Sequence, residues 1–594
     1  MLEWVDGWIA ALLVPLACWV LLSGLDDLFV TAVFLLRRRR TAEWPGEAEL
    51  RAAPRARIAI LVPLWREHEV IERMLEHNLA AIEYDNYDIF AGVYANDPAT
   101  RRAVEAVAAR APNVHLAACP QSGPTSKADC LNAVYRAMQQ WEREWGARFD
   151  IVVTHDAEDL IHPRSLAVID HFAQQYDMVQ IPVLPLPTPA WRLVHGLYCD
   201  EFAEYQTKDV PVRGLLGGFL PSNGVGTGFT RGVLERLARA RGGAVFEPHC
   251  LTEDYENGWA VHALGCPQVF VPLTRVDGRF AATREYFPST FRAAMRQRKR
   301  WVTGIALQGW EEHGWEPRLP QAYWFWRDRK GLLGNLLAPP ANLIFLYGAA
   351  RWALSGWFGG AWGPARLAPE WFGAVWAPLL AIAVTQVGMR MACAARVYGL
   401  AFAALSPVRA VLGNWLNCAA TAWALGDYAL ARRRCARLAW GKTDHRYPEG
   451  EALQRHKPRL GEILVRLRCL PARELDEAVQ KCPPGLRIGE YLVQMQKINE
   501  RGLYQALSLQ SGLPLEDAPP VSGRAARILP ARLQRRLRVL PVKVEEGKIF
   551  VAVTEPPGRA VAAALHRCCT LEIRYCLMPP TQMGRLLHLS RRAG

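Results

Sequence analysis

The chain has 594 residues, enough for about three or four domains of ~150 residues, and 51% of them are apolar. That is too apolar for a disordered chain and too polar for one held wholly in a bilayer, so a hybrid of soluble and membrane parts is expected. A net charge of +14 without a recognisable nucleic-acid module directs the chain to lipid headgroups or a nucleotide phosphate, and 14 cysteines with neither CxxC pairs nor zinc spacing exclude a disulfide framework and suit reduced cytosolic thiols.

Residues 8–36, WIAALLVPLACWVLLSGLDDLFVTAVFLL, form an apolar run long enough to span a bilayer as a helix. No basic stretch precedes it and no A-x-A site closes it, so residues 1–40 read as a retained membrane segment and not a cleaved signal. RRRR at 37–40 marks the cytoplasmic side and puts residue 41 onward inside. Asp26 and Asp27 interrupt the run and, near its end, are expected at a wet interface.

Residues 57–310 read as soluble α/β. ARIAILVPL, YDIFAGVYA, FDIVVTHD and MVQIPVLP are short apolar runs of the kind that form buried strands, and 69–81 and 126–145 are helix-like. The alternation predicts a parallel, doubly wound sheet, whose ligands gather at the carboxyl ends of the strands. Asp97 and the carboxylates of Asp156, Glu158 and Asp159 then lie along one rim. Three carboxylates in four positions repel one another. A solvated turn and a bound cation both answer that repulsion, and the spacing alone leaves both open.

From 331 to 435 the chain is apolar again. GLLGNLLAPPANLIFLYGAA (331–350) and FGAVWAPLLAIAVTQVGM (372–389) are candidate crossings, the first weakened by Pro339, Pro340 and Asn342. With the N-terminus outside and the C-terminal part cytosolic, the number of crossings is odd. Three crossings satisfy this if 397–431, broken by Pro407, Arg409, Asn414 and Asn417, lies at the interface. Residues 436–458 form a polar, basic linker.

An internal repeat follows. RLGEILVRLRCLPARELDEAV (459–479) aligns with RIGEYLVQMQKINERGLYQAL (487–507), matching Arg459 to Arg487, Gly461 to Gly489 and Leu475 to Leu503. The apolar matches need only a duplicated helical pair. The Arg-x-Gly starts suggest more, because glycine admits a ligand to the backbone and arginine holds phosphate or stacks on a base. Residues 520–594 read as a small α/β unit with a hairpin at LPVKVEEGKIFVAVTEP.

Four further features lie in the α/β region: LVPLWREHEVI (61–71), KADCLN (127–132), the Gly-rich loop SNGVGTGFTR (222–231) and LTEDYENG (251–258). In RQRKRW (296–301), Gln297, Arg300 and Trp301 share one helix face. Singly, each has an ordinary structural reading: a turn, a helix start capped by Thr252, a basic interfacial helix. In this order, Asp97, Asp156-Ala157-Glu158, Thr252-Glu253-Asp254 and Gln297-x-x-Arg300-Trp301, between membrane segments, resemble the family 2 glycosyltransferases of the processive membrane synthase type. One departure is the middle motif, Asp-Ala-Glu-Asp where those synthases have Asp-x-Asp. That form, the SNGVG loop and the C-terminal repeat are similar to the inner-membrane glycosyltransferases called phage adsorption protein B. There the transferase is joined to a domain like the N-terminal part of type II secretion ATPases, the MshEN domain.

The resemblance implies a GT-A type transferase domain (57–310), flanking transmembrane helices, and an α+β regulatory domain (459–594) that binds cyclic di-GMP. It implies Asp254 as general base, Glu67, Asp97, Lys127 and Asp156 on the donor nucleotide, and Asp156 and Glu158 on Mg²⁺ or Mn²⁺. Gln297, Arg300 and Trp301 would meet the acceptor and diphosphate, with Arg298 and Lys299 facing lipid headgroups or solvent. Cyclic di-GMP would meet Arg459, Leu460, Gly461, Arg487, Ile488 and Gly489. The second copy has Ile488 where the motif has Leu, Arg468 and Gln496 replace a usual glycine, and Cys482 stands opposite Gln510. The expected activity is transfer from a nucleotide sugar to a growing polysaccharide. The alternatives are single transfer to a membrane lipid phosphate and an inactive signalling or receptor scaffold. About three crossings are few for a channel, so a homodimer or an envelope export partner is expected.

Overall fold

The computed structural model describes residues 2–37, 44–276, 278–358, 372–434, 447, 460–467, 469–483, 485–511, 513–516, 525, 528–545, 548–569 and 571–589. The chain divides into two compact units, the larger within Met1–Pro448 and the smaller built on Glu449–Gly594.

The larger unit is organised by a seven-stranded sheet. Its strands are β1 (Ile58–Pro63), β2 (Tyr87–Tyr94), β3 (Val114–Cys119), β4 (Ile151–Thr154), β5 (Met178–Gln180), β7 (Thr227–Thr230) and β8 (Gln268–Phe270); a short β6 (Val183–Pro185) pairs elsewhere, with Thr283–Glu285. The order is β3-β2-β1-β4-β7-β5-β8. β1 and β2 are apolar on both faces because helices cover both, which is why they read as continuous hydrophobic runs.

The predicted strands all form, but the sheet is not wholly parallel. β7 runs antiparallel to both β4 and β5. It occupies Thr227–Thr230, inside the stretch read as a Gly-rich loop, where the glycines hide the strand pattern. MVQIPVLP is two strands, because Pro182 follows Ile181 and leaves the ladder without a donor there. β1 is flanked by β2 on one side and β4 on the other, so the order reverses between β1 and β4. Crevices that receive ligands open at such a point, beyond the carboxyl ends of the strands.

Three helices are long and apolar enough to cross a membrane: Gly7–Leu36, Gly331–Ala350 and Ala377–Tyr398. Pro339 and Pro340 sit inside the second without ending it. RRRR extends beyond the described residues at 38–40. Asp26 and Asp27 are paired with basic and polar side chains from distant parts of the chain. Asp26 accepts from Tyr323, Arg327 and Lys330, and Asp27 from Lys330 at 2.8 Å and Gln386 at 2.9 Å. Each acid is thereby charge-compensated where solvent would otherwise have to do it.

Residues 397–431, expected at the interface, are dominated by the helix Ser406–Arg433. Polar groups in its first half and middle face protein. Arg409 is fully buried against Asp200 at 2.6 Å, Asn414 donates to Asn342, and Asn335 donates to Thr421.

In the smaller unit the repeat forms two helical pairs, Leu460–Arg466 with Ala472–Lys481 and Ile488–Gln494 with Glu500–Ser511. They precede a three-stranded sheet in which Val539–Glu545 and Lys548–Val553 make the predicted hairpin and Glu572–Leu577 adds in parallel. The repeated glycines serve packing. A Cβ on Gly461 would lie 2.7 Å from Leu475, and one on Gly489 2.6 Å from Leu503, the equivalent partner in the second copy. Each glycine thus lets two helices close on a leucine. Arg459, Arg468 and all of the 436–458 linker except Tyr447 lie outside the described residues.

Candidate active site

Beyond β1 and β4 a cleft of about 580 Å³ is lined by residues that include Trp65, Glu67, Tyr94, Lys127, Asp156 and Arg300. Each arrives by a local cause. β1 ends at Pro63, and the chain turns through Arg66, a non-glycine residue at φ 56°. That strained turn is held by Asp97, whose carboxylate accepts from the Arg66 N–H at 2.6 Å and, as helix N-cap, from the Thr100 N–H at 3.4 Å. Asp97 is thus buried behind the cleft, and the side chain it helps present is Glu67.

Lys127 opens a helix capped by Ser126, whose hydroxyl and the Asp129 carboxylate form a reciprocal capping box. The cap aims Lys127 into the crevice, where its ammonium lies 2.7 Å from Asp156 and 3.8 Å from Glu253. These acids hold the Lys127 pKa above its ordinary value against the opposing effect of burial.

The three carboxylates of the 156–159 turn part company. Asp156 lines the cleft. Asp159 is fully buried and folds the turn, accepting from the Asp156 N–H at 3.0 Å and pairing with His155 Nδ1 at 2.7 Å. Burial and the neighbouring Asp156 and Glu158 push Asp159 well above the carboxylate range, and burial pushes His155 down to about 3. Glu158 is 3% exposed and is not among the residues lining the cleft. The solvated-turn reading of the cluster therefore falls, because two of its three acids are buried.

Asp254 stands at the start of the helix Glu253–Ala263, in a smaller cavity lined also by Ser222, Gly224 and Glu253. Gly224 adopts φ +77°, and a Cβ there would sit 2.9 Å from Asp254 Oδ2 and 3.5 Å from Lys127 Nζ. The SNGVG loop thus needs glycine at this position twice over, for its conformation and for its closeness to the acid. Burial raises the pKa of Asp254 and carries Glu253 to about 7, both opposed by Lys127 and Arg300.

The helix Phe291–Trp301 brings Arg300 to the same cleft. Trp301 packs against Tyr198 and Phe202, and Gln297 has a buried side-chain oxygen with no hydrogen-bond partner. Arg298 and Lys299 are both paired within the protein, although Lys299 keeps a quarter of its side chain exposed. Arg298 is buried, forks onto Glu201 at 2.6 and 3.2 Å and donates to Asn417; Lys299 pairs with Asp427 over the Trp423 ring. They tether this helix to Ser406–Arg433, a role that the helical periodicity assigned to the outside.

Sequence reasoning missed the aromatic wall formed by Trp65 and Tyr94, whose rings meet edge-on at 5.3 Å. The signal was the aromatic residue at or just past each strand end. It also left Glu253 without a role. Among the described residues, one group of side chains brings three metal-type donors within 4.8 Å, Cys250, Glu256 and Glu312, and it does not include the predicted pair Asp156 and Glu158.

The profile described as glycosyltransferase like family 2 matches residues 54–304, and that of the MshEN domain matches residues 511–593. The chain is 34% identical over 602 residues to bacteriophage adsorption protein B of Escherichia coli (strain K12), covering 97% of this chain and 80% of that protein. The same figures hold for bacteriophage N4 adsorption protein B of Escherichia coli O157:H7. Among solved structures, a mannosyltransferase from Pyrobaculum calidifontis in complex with GDP-Man and Mn²⁺ is similar at 17% identity, over 67% of this chain and 98% of that one, with a TM-score of 0.41. The chain is a glycosyltransferase with a family 2-like domain and an MshEN domain, and it belongs to the bacteriophage adsorption protein B family.

Proposed function

We propose that this protein transfers sugar from a nucleotide-sugar donor to a growing polysaccharide, with inversion at the anomeric carbon, from the cytoplasmic side of a bacterial inner membrane. The observation that carries the reading is the convergence of Asp156, Lys127 and Arg300 on one cleft, with Asp254 held beside Lys127 by Gly224. Asp254 takes the proton of the acceptor hydroxyl as that oxygen attacks the anomeric carbon. The bond to the diphosphate breaks, and the nucleoside diphosphate leaves with the electron pair. Such a base contributes about 10²–10⁴-fold. Burial, which raises its pKa, also strengthens it as a base.

Lys127 and Arg300 offset the charge of the diphosphate, and Trp65 and Tyr94 offer the base an aromatic wall. Glu67 meets the ribose or base, and Asp97 supports it through the Arg66 turn. The acids Asp156, Glu253 and Asp254 exceed the cations Lys127 and Arg300, and burial keeps two of those acids from ionising readily. A donor set of that kind fits a divalent cation, Mg²⁺ or Mn²⁺, held by Asp156 with Glu158 as the second candidate ligand. When bound, the cation supplies further compensation for the leaving diphosphate. Gln297 and Trp301 mark the acceptor side.

The MshEN match at 511–593 supports control by cyclic di-GMP, and the repeat before it is the assigned site on sequence alone: Arg459, Leu460–Gly461 and Arg487–Gly489. A homodimer or an envelope export partner would complete the path for the product. The test is to incubate membranes holding the full chain with labelled UDP-glucose, UDP-N-acetylglucosamine and GDP-mannose, with Mn²⁺ or chelator, and with or without cyclic di-GMP. A long product from one donor is expected. A single added sugar on lipid would replace the polymerising reading, and no transfer from any donor would favour an inactive scaffold. Asp156→Ala should weaken nucleoside diphosphate binding with Mn²⁺ far more than in chelator.

A further inference from the structure

The helix that carries Asp254 secures only part of its own start: the Asp254 carboxylate accepts from the Tyr255 N–H at 2.8 Å. Thr252 occupies the N-cap position, yet its side chain makes no capping hydrogen bond. A Thr N-cap ordinarily stabilises a helix by bonding the exposed N–H groups of the first turn. Here that support is missing at the position where a base must be held accurately. The acids lost from a loosely held turn would be Glu253 and Asp254 together.

Support comes instead from the acceptor-side helix. Past Trp301 it continues as a π-helix, Val302–Gln308, and then as the short helix Gly309–His313. π-Helical turns are costly and persist where a site demands their geometry. Together with the short helix after it, this one lies against residues 249–256. Gly304 meets Thr252 so closely that a Cβ would lie 2.3 Å from the threonine oxygen. Gly309 approaches the Tyr255 ring, Glu312 accepts from Cys250 Sγ at 3.4 Å, and His313 pairs with Glu256 at 2.6 Å.

One residue of the segment bonds the backbone leading into Thr252. Gln308 accepts from the Leu251 N–H at 3.0 Å and donates to the His249 carbonyl at 3.1 Å. Its amide bridges the two backbone groups on either side of Cys250, as a neighbouring strand would. The other contacts are made to side chains, which can move without displacing the main chain.

Resting on the reading of Asp254 as base, we propose that Gln308 is a positioning residue: through it, the helix that meets the acceptor fixes the turn that carries the base. The arrangement links acceptor binding to base placement in one covalent element, since Trp301 and Gln308 are seven residues apart on it. Gln308 touches neither donor nor diphosphate in this assignment, so its loss should act on turnover and leave donor binding intact.

The test uses the full chain in membranes or detergent, with the nucleotide sugar that supports transfer by the wild type. Gln308→Ala is expected to lower kcat about tenfold or more while the donor KM stays within about twofold. Amide hydrogen exchange should rise at residues 251–255 and stay unchanged in β1 and β4. Gln308→Glu keeps the acceptor for the Leu251 N–H and should recover part of the lost kcat; it also serves if the alanine variant does not fold. A kcat within twofold of wild type, a KM that rises as far as kcat falls, or unchanged exchange at Leu251 overturns the proposal. If no donor supports transfer by the wild type, the reading of Asp254 fails on that result, and the exchange measurement still decides whether Gln308 holds the turn.

Discussion

Gly224 in the transferase cleft and Gly489 in the C-terminal repeat are both pressed against a side chain, and they serve different ends. A Cβ on Gly224 would strike a carboxylate oxygen at 2.9 Å, whereas one on Gly489 would strike leucine methyls at 2.6 and 2.9 Å. The first glycine also needs φ +77°, a conformation that side chains disfavour; the second sits in an ordinary helix. Closeness to a charged, partly buried group marks a site. Closeness to an apolar one marks packing. The same residue type in a motif therefore has no fixed meaning until its neighbour is known.

The largest expected effect breaks the comparison on the catalytic side. Asp254→Asn keeps the shape beside Gly224 and removes the base, so transfer should fall by about 10²–10⁴-fold. Binding of nucleoside diphosphate should stay nearly unchanged, because the lost interaction belongs to the transition state. Turnover equal to wild type would exclude Asp254 as the base.

The two glycines can then be tested against each other. Gly224→Ala should lower transfer about tenfold or more, through displaced Asp254 and Lys127, with little change in the stability of the C-terminal unit. Gly489→Ala should do the reverse: overpacking against Leu503 and Leu460 costs about 1–3 kcal/mol of that unit's stability. Basal transfer should be unchanged, and thermal unfolding beside a transfer assay separates the two. If both variants act alike, the distinction drawn from their neighbours is wrong.

Much of the α/β sheet was legible because buried strands leave continuous apolar runs, and β1, β2 and β4 are of that kind. β7 was not, since two of its four residues are threonine and one is glycine. The site was legible as a set of residues but not as a geometry. Asp156 and Asp159 look alike in sequence, and only the fold makes one a cleft residue and the other the anchor of its own turn. Arg298 and Lys299 were assigned outward by periodicity, which cannot foresee that Ser406–Arg433 covers that face with Asn417 and Asp427. Asp26 and Asp27 likewise found partners about 300 residues away, a separation at which no local pattern carries information.

A smaller effect concerns the charge balance of the cleft. Burial carries the folded-state pKa of Glu253 from 4.5 to about 7, and Lys127 opposes the shift. Between those values the folded chain binds a proton that the unfolded chain has released. Stability from this group is therefore greatest at the acid end and falls as pH rises through about 4.5 to 7. Thermal unfolding of the chelated full chain between pH 5 and pH 7 should show the fall, and Glu253→Gln should flatten it. A variant with the same slope as wild type would place the titration elsewhere.

The smallest effect sharpens the comparison in the repeat, where the glycine is packing and the arginine remains for a ligand. Arg487 forms an ion pair with Glu555 at 2.7 Å, and the two side chains are 67% and 56% exposed. Exposed pairs of this kind contribute about 0–1 kcal/mol. If Arg487 is to hold a phosphate or stack on a guanine, it must first leave Glu555, and the cost of leaving is subtracted from the affinity. Glu555→Gln removes that cost, so cyclic di-GMP should bind the full chain up to about fivefold more tightly, the factor that ~1 kcal/mol allows. Arg487→Ala should weaken binding well beyond that, because it removes the contact itself and not a competitor for it. Calorimetric titration of the two variants beside wild type reads both effects. Weaker binding by Glu555→Gln would mean that Glu555 orients Arg487 for the ligand, and equal binding by all three would remove Arg487 from the ligand site.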